Sequence, residues 1–117
     1  VQLGGNRERI AKARIDIDMA RLLVQNAAAK LDAYGTEGAR VDVSAIKAVV
    51  PQIACDVIDF AIQMHGGGGM SDDFPLTSAY ATARSLRLAD GPDEVHLGMV
   101  ARAELKPYLA AVKGEAK

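Results

Sequence analysis

The stretch R-I-A-K-A-R-I-D-I-D-M-A-R-L-L-V-Q-N-A-A-A-K-L-D-A-Y-G, residues 9–35, decides the fold. Ile10, Ile17, Val24 and Leu31 recur every seven residues, and Ala13, Ala20, Ala27 and Tyr34 form a second seven-residue series offset by three. Two such series are the a and d positions of a helical seam. Arg9, Lys12, Arg14, Asp16, Asp18, Arg21 and Gln25 fall between them, on a solvated face where side chains three or four apart can pair. The pattern predicts a helix of about 25 to 30 residues, roughly 40 Å long at the α-helical rise. The glycines from Gly35 to Gly38 are expected to end it.

A second helical pattern runs from about Val41 to Met64, with Ile46, Ile53 and Phe60 in one series and Val50, Val57 and Met64 in another on the same face. Pro51 lies inside it, removes one backbone donor, and predicts a kink or short break. Asp56 and Asp59 project from the opposite side as surface charge. The run Q-M-H-G-G-G-G, residues 63–69, then stops the helix and opens positive-φ conformations. Four bare glycines either let a ligand approach the backbone closely or make a flexible turn. The run has no P-loop lysine and follows a helix, not a strand, so by itself it names no ligand.

Ser71, Asp72 and Asp73 supply capping side chains, and Pro75 suits the first turn of a third, shorter helix through Leu76, Ala79, Tyr80, Ala83 and Leu86. The fourth element opens at A-D-G-P-D-E-V-H, residues 89–96. Gly91 breaks the chain, Pro92 suits a first helical position, and Asp93 and Glu94 place negative charge at the positive end of the helix dipole. Leu97, Val100, Ala101, Leu105, Tyr108 and Val112 carry an apolar stripe onward, bent or thinned at Pro107. No strand-like alternation occurs. The expectation is an all-α, antiparallel helical bundle of about four helices, forming one domain over residues 1–117.

Composition narrows the function classes. Half of the 117 residues are hydrophobic, Trp is absent, and the core must be built from Ala, Val, Leu and Ile. A formal charge of -1 without a basic stripe argues against nucleic acid. No apolar stretch reaches the length of a membrane span, and V-Q-L-G-G-N-R-E-R lacks the apolar run of a signal peptide. The single Cys55 reads as a packing residue of a cytoplasmic protein. His65 and His96 are far apart and neither has a second ligand at recognised spacing, so no metal site is expected.

The order of long helix, Q-x-x-G-G-x-G, a short helix with A-R-S-L-R-L-A-D-G, and a last helix carrying V-A-R-A-E-L resembles the C-terminal domain of acyl-CoA dehydrogenases. The likeness covers nearly the whole chain and is greatest to the branch whose last-helix motif reads A-D-G-P-D-E-V-H. The resemblance implies an FAD enzyme that removes the α and β hydrogens of an acyl-CoA thioester. It places Gln63, Gly66, Gly67 and Gly68 against the adenosine-pyrophosphate part of an FAD held mainly by a neighbouring subunit, and adds Glu94 as a further cofactor contact. It places Asp90 at the position of the catalytic carboxylate, directly before the substrate-side Gly91 in the family's E-G-T-x-x-I pattern. Such a base needs a carboxylate pressed against the substrate while hydrogen bonds polarise the thioester carbonyl.

This chain departs from that pattern in having aspartate for glutamate at 90 and proline for threonine at 92. Asp90 also reads as a cap for the last helix, and Arg84 and Arg87 as partners of Asp90 and Asp93 on a surface. The resemblance further implies a larger three-domain flavoenzyme of which this chain is a fragment, inactive alone, with acyl-CoA as substrate and a homo-oligomer, dimer or tetramer, as its functional state. A long exposed seam is a partner-binding surface, so self-association is expected. The other class of function is a stand-alone helical oligomerisation or interaction module, in which the glycines are a hinge and A-D-G-P-D-E only a helix start.

Overall fold

The computed structural model describes residues 4–115. In chain order they form α1 (Gly4–His65), a short 3-10 helix (Gly66–Met70), α2 (Leu76–Ser85) and α3 (Asp93–Glu115), with no strand among the described residues. The expected count of about four helices is met only if α1 is taken as two. It consists of two helical arms, 4–34 and 36–65, separated by Gly35 with φ 74° and ψ -174°. Only glycine adopts that combination without strain. The expected break spanning Gly35 to Gly38 is thus confined to one residue, and the helix resumes at Thr36. Gly38 serves a different need: a Cβ there would collide with the Cβ of Tyr34.

The two arms run antiparallel. Arg9 stacks over the ring of Phe60 at 5.0 Å, and Lys30 Nζ and Asn26 Nδ2 donate to Asp42 at 2.8 and 3.2 Å, so residues ever earlier in the first arm meet residues ever later in the second. Both α2 and α3 pack on α1, which is the centre of the fold. The helix continues through Pro51, which is buried, so the element does not end at that proline and no break occurs there.

The core is made of small side chains. Ala20 and Ala27 of the first arm, Ala39, Ala48 and Cys55 of the second, and Ala83 of α2 are its buried apolar residues. In the second arm Ser44, Ala48, Pro51 and Cys55 are buried at spacings of four and three, the period of one helix face. Of the two heptad series, the alanines face the other arm, whereas Ile10, Val24, Leu31 and Tyr34 are exposed along its edges. Alanine at the contact lets helix axes approach closely, which larger residues would prevent. Replacing Ala27, 3% exposed, by leucine is expected to cost about 1–3 kcal/mol by overpacking, measured as a lowered urea midpoint with unchanged slope.

The molecule is elongated, 64 × 29 × 26 Å. Residues 101–115 of α3 are exposed at every position. Leu105, Tyr108, Leu109 and Val112, at 50–64% exposure, form one apolar stripe on that projecting arm. No helix among the described residues is long and apolar enough to cross a membrane.

Candidate functional site

Between α2 and α3 the chain makes a tight loop over residues 86–92. Its two ends are tied twice through the same residues. The Asp93 backbone N–H donates to the Arg87 carbonyl at 3.2 Å, and Arg87 Nε donates to Asp93 Oδ2 at 2.7 Å. Asp93 is buried, and its hydrogen bond is the first reason the Arg87 guanidinium pKa is raised above its ordinary value; burial opposes this. Sequence reasoning places Arg87 and Asp93 as surface partners; the structure keeps the pair and moves the carboxylate inside, because the loop closure carries it beneath the helix start.

The second arm of α1 supplies the next tie. Lys47 Nζ donates to the Leu86 carbonyl at 2.5 Å and to the Gly91 carbonyl at 3.3 Å. From α3, the His96 ring donates through Nε2 to the Asp90 carbonyl at 3.2 Å, because a carbonyl oxygen only accepts. Lys47 was not legible as a site residue, although a lysine beside Ile46 and three residues before Val50 stands out on an otherwise apolar helix face.

Asp90 sits at the apex. Its φ is 55°, the only positive φ on a non-glycine residue among the described residues, and Gly91 follows at 101°. Aspartate tolerates the left-handed region better than most side chains, at a cost of about 1–2 kcal/mol for an L-residue. While the backbone carbonyls of 86, 87, 90 and 91 are all engaged, the Asp90 carboxylate makes no hydrogen bond or ion pair among the described residues. It does not cap α3, which starts three residues later at Asp93; Pro92 accordingly precedes the helix, one place before the position expected of it.

Asp90 is among the residues that line a groove of about 450 Å³ whose walls are almost entirely apolar. Val24, Val43, Ile46, Val50 and Pro51 line it, with Lys47 and His96 beside Asp90. An exposed aspartate beside a carbon-lined groove suits a ligand with an apolar tail and a weakly acidic or cationic head.

The glycine segment lies elsewhere. Gln63 is 12 residues beyond Pro51 in the same arm, roughly 18 Å along a helix axis. Among the described residues, α3 makes no contact with the 3-10 helix of glycines. Gln63, Gly66, Gly67 and Gly68 therefore form one group, and Glu94, exposed on the first turn of α3, belongs with Asp90 and Gly91 in another. Gln63 lines a polar cleft of about 440 Å³ with Arg9, Lys12, Asp16, Asp56 and Asp59. Three carboxylates against two cations make that cleft a poor receptor for an anion by itself.

The four glycines divide by role. A Cβ on Gly69 would lie 2.6 Å from the Ile62 carbonyl oxygen, so this buried glycine is demanded by packing. Gly66 has φ 59°, and a Cβ on Gly66 or Gly67 would meet nothing within 4 Å. Gly68 lies under Phe74, whose ring contacts His65 at 4.5 Å, while His65 Nδ1 bonds the Ala61 carbonyl at 2.7 Å. His65 thus locks the segment. Ser71 finishes it by donating to the Gly68 carbonyl at 2.6 Å, and Asp72 and Asp73 make no cap. Among the described residues, no group of three His, Cys, Asp or Glu is arranged to hold a metal ion.

Residues 3–105 match the family model described as the acyl-CoA dehydrogenase C-terminal domain. The chain is 54% identical over 99 residues to the probable acyl-CoA dehydrogenase FadE2 of Mycobacterium tuberculosis, covering 85% of this chain and 24% of that protein. It is 50% identical over 97 residues to acyl-CoA dehydrogenase family member 11 of Mus musculus, covering 83% of this chain and 12% of that one. A solved structure of a putative acyl-CoA dehydrogenase from Mycobacterium abscessus superposes with a TM-score of 0.90 at 63% identity, over 92% of this chain and 26% of that chain. The chain therefore spans about a quarter or less of the length of these relatives. It belongs to the acyl-CoA dehydrogenase family, as a C-terminal domain of that family's enzymes.

Proposed function

We propose that this domain serves an FAD-dependent acyl-CoA dehydrogenase that introduces an α,β double bond into an acyl-CoA thioester, with Asp90 as the base. The observation that carries this reading is Asp90, its carboxylate unpaired among the described residues, on the lining of an apolar groove and on a loop whose carbonyls are tied by Lys47, His96 and the Asp93 N–H. Asp90 takes the proton from the carbon next to the thioester carbonyl, and the electron pair of that C–H bond becomes the second bond between the α and β carbons. The groove walls, Ile46, Val50 and Pro51 among them, hold the acyl chain and exclude water from the carboxylate. Gly91, whose carbonyl is already taken by Lys47, keeps the loop slim beside the substrate.

FAD, when bound, supplies the acceptor for the hydride that leaves the β carbon. Gly66 and Gly67 fit a role toward its pyrophosphate: their own chain leaves the space above them open, and the left-handed φ of Gly66 keeps that backbone bare. Gln63 and Gly68 flank them; Glu94, on the other side of the fold, would meet a different portion of the cofactor. The negative balance of the adjoining cleft is the reason the remaining contacts must come from elsewhere, from the enzyme's other domains or a neighbouring subunit.

The test is anaerobic titration of the full-length flavoenzyme with saturated acyl-CoAs of graded length. Flavin bleaching with an enoyl-CoA product two mass units lighter is expected; an unbleached flavin with every chain length would sink the reading. The apolar stripe on residues 101–115 and the exposed edge of the alanine seam support the accompanying proposal that the enzyme self-associates. Light scattering on it is expected to return a dimer or tetramer, and a clean monomer counts against this.

A further inference from the structure

The groove at Asp90 assigns proton removal to one carboxylate, yet leaves open what holds that carboxylate in a strained conformation. Asp90 is in the left-handed region at φ 55°, and its own carboxylate contributes nothing to keeping it there. Lys47 grips the loop on either side, at the Leu86 and Gly91 carbonyls. Among the described residues, only His96 grips the Asp90 peptide itself, through Nε2 to its carbonyl at 3.2 Å.

The His96 ring is fitted to this place. Its Nε2 lies 3.3 Å from where a Cβ on Gly91 would stand, so a side chain at 91 would crowd the ring and be strained at the glycine's φ of 101°. The opposite ring nitrogen, Nδ1, is buried without a partner, and so is Oδ1 of Asp93, one turn earlier on the same helix. Residues three apart on a helix are neighbours. With Nε2 carrying the donor proton, Nδ1 and Oδ1 are both acceptors and do not bond each other. The other oxygen of Asp93 is already held by Arg87 at 2.7 Å.

We propose that His96 is a positioning residue for the base: from the first turn of α3 it holds the Asp90 peptide through its carbonyl, so that the carboxylate faces the groove. This rests on Asp90 being the base. It gives His96 a purpose separate from substrate or cofactor contact, and it makes the sequence D-G-P-D-E-V-H, residues 90–96, one device in which the first and seventh residues act together.

The experiment uses the full-length flavoenzyme with His96→Phe and His96→Gln, since glutamine presents an amide donor where Nε2 stood and phenylalanine presents none. Two quantities are read: the rate of anaerobic flavin bleaching at saturating acyl-CoA, and hydrogen–deuterium exchange across residues 86–96. H96F is expected to slow bleaching about tenfold, the effect of one lost hydrogen bond, with the half-saturating acyl-CoA concentration changed less than about twofold. Exchange across 86–96 rises, and H96Q recovers most of both effects. Unchanged exchange in H96F, or faster exchange with an undiminished rate, would overturn the proposal. If H96F loosens α1 as well, H96Q decides, and a glutamine variant as slow as the phenylalanine one overturns it. Asp90→Asn in parallel separates the two ideas: bleaching that survives it removes the base and the positioning role together, whereas bleaching lost in D90N but intact in H96F removes only the role of His96.

Discussion

Asp90→Asn is expected to slow flavin bleaching by acyl-CoA in the full-length enzyme by about a hundredfold to ten thousandfold, the range over which a positioned general base contributes. Asparagine keeps the size of the side chain and shares aspartate's tolerance of a positive φ, so the loop at φ 55° is preserved and only the proton acceptor is removed. Acyl-CoA binding, which we propose rests on the apolar walls of the groove, is expected to change little. A stopped-flow bleaching trace gives the rate and its amplitude gives occupancy. A D90N enzyme that bleaches at the parent rate would eliminate Asp90 and direct attention to a carboxylate outside this chain. Asp90→Gly is a useful companion. Glycine adopts φ 55° freely, which offsets its greater freedom in the unfolded chain, so stability is expected to stay within about 1 kcal/mol while activity falls as far as in D90N.

Gly69→Ala is expected to be the most damaging single change in the glycine run, lowering stability by about 3 kcal/mol, the upper end for forced overpacking. The added methyl would stand 2.6 Å from the Ile62 carbonyl oxygen and 3.0 Å from its Cα, both backbone atoms that cannot swing aside. Gly67→Ala, two residues earlier, meets nothing within 4 Å, and its stability is expected to hold or rise slightly. The two variants should also separate in cofactor content. G67A, well folded, is expected to purify with less FAD if that backbone approaches the pyrophosphate; G69A is expected to lose FAD only as it unfolds. Thermal melts together with flavin absorbance per subunit distinguish the cases, and equal melting temperatures for the two would contradict the division of roles.

That division was not legible in G-G-G-G as a string. All four positions are the same residue, and their difference lies in what stands opposite each one: Ile62 at 69, Phe74 at 68, open space at 66 and 67. The same limit applies to the heptad seam. Its period was readable, but the period does not say which series meets the other arm. The structure chose the alanines, because arms joined by the single residue Gly35 lie too close for larger side chains at the contact, and this leaves Ile10, Val24 and Leu31 at the edges. Asp90, the proposed base, stands out in the sequence through its motif. Its partners Lys47 and His96 do not, since they come from helices that only folding brings to the loop, and neither carries a spacing that marks it.

By itself, the sequence determined the helical class, the approximate extent of each helix, the apolar character of the faces, and the two motifs that carry the family likeness, because each of these is written in spacing along one strand of chain. Tertiary structure decided the rest: that one glycine reverses α1, that the core is alanine, that Asp93 is buried on Arg87, and that Gln63 and Asp90 stand at separate places in the fold. Those facts depend on which distant residues meet. Contacts between helices are settled by how closely their backbones can approach and which buried polar atoms find partners, quantities that exist only once the arms have folded together.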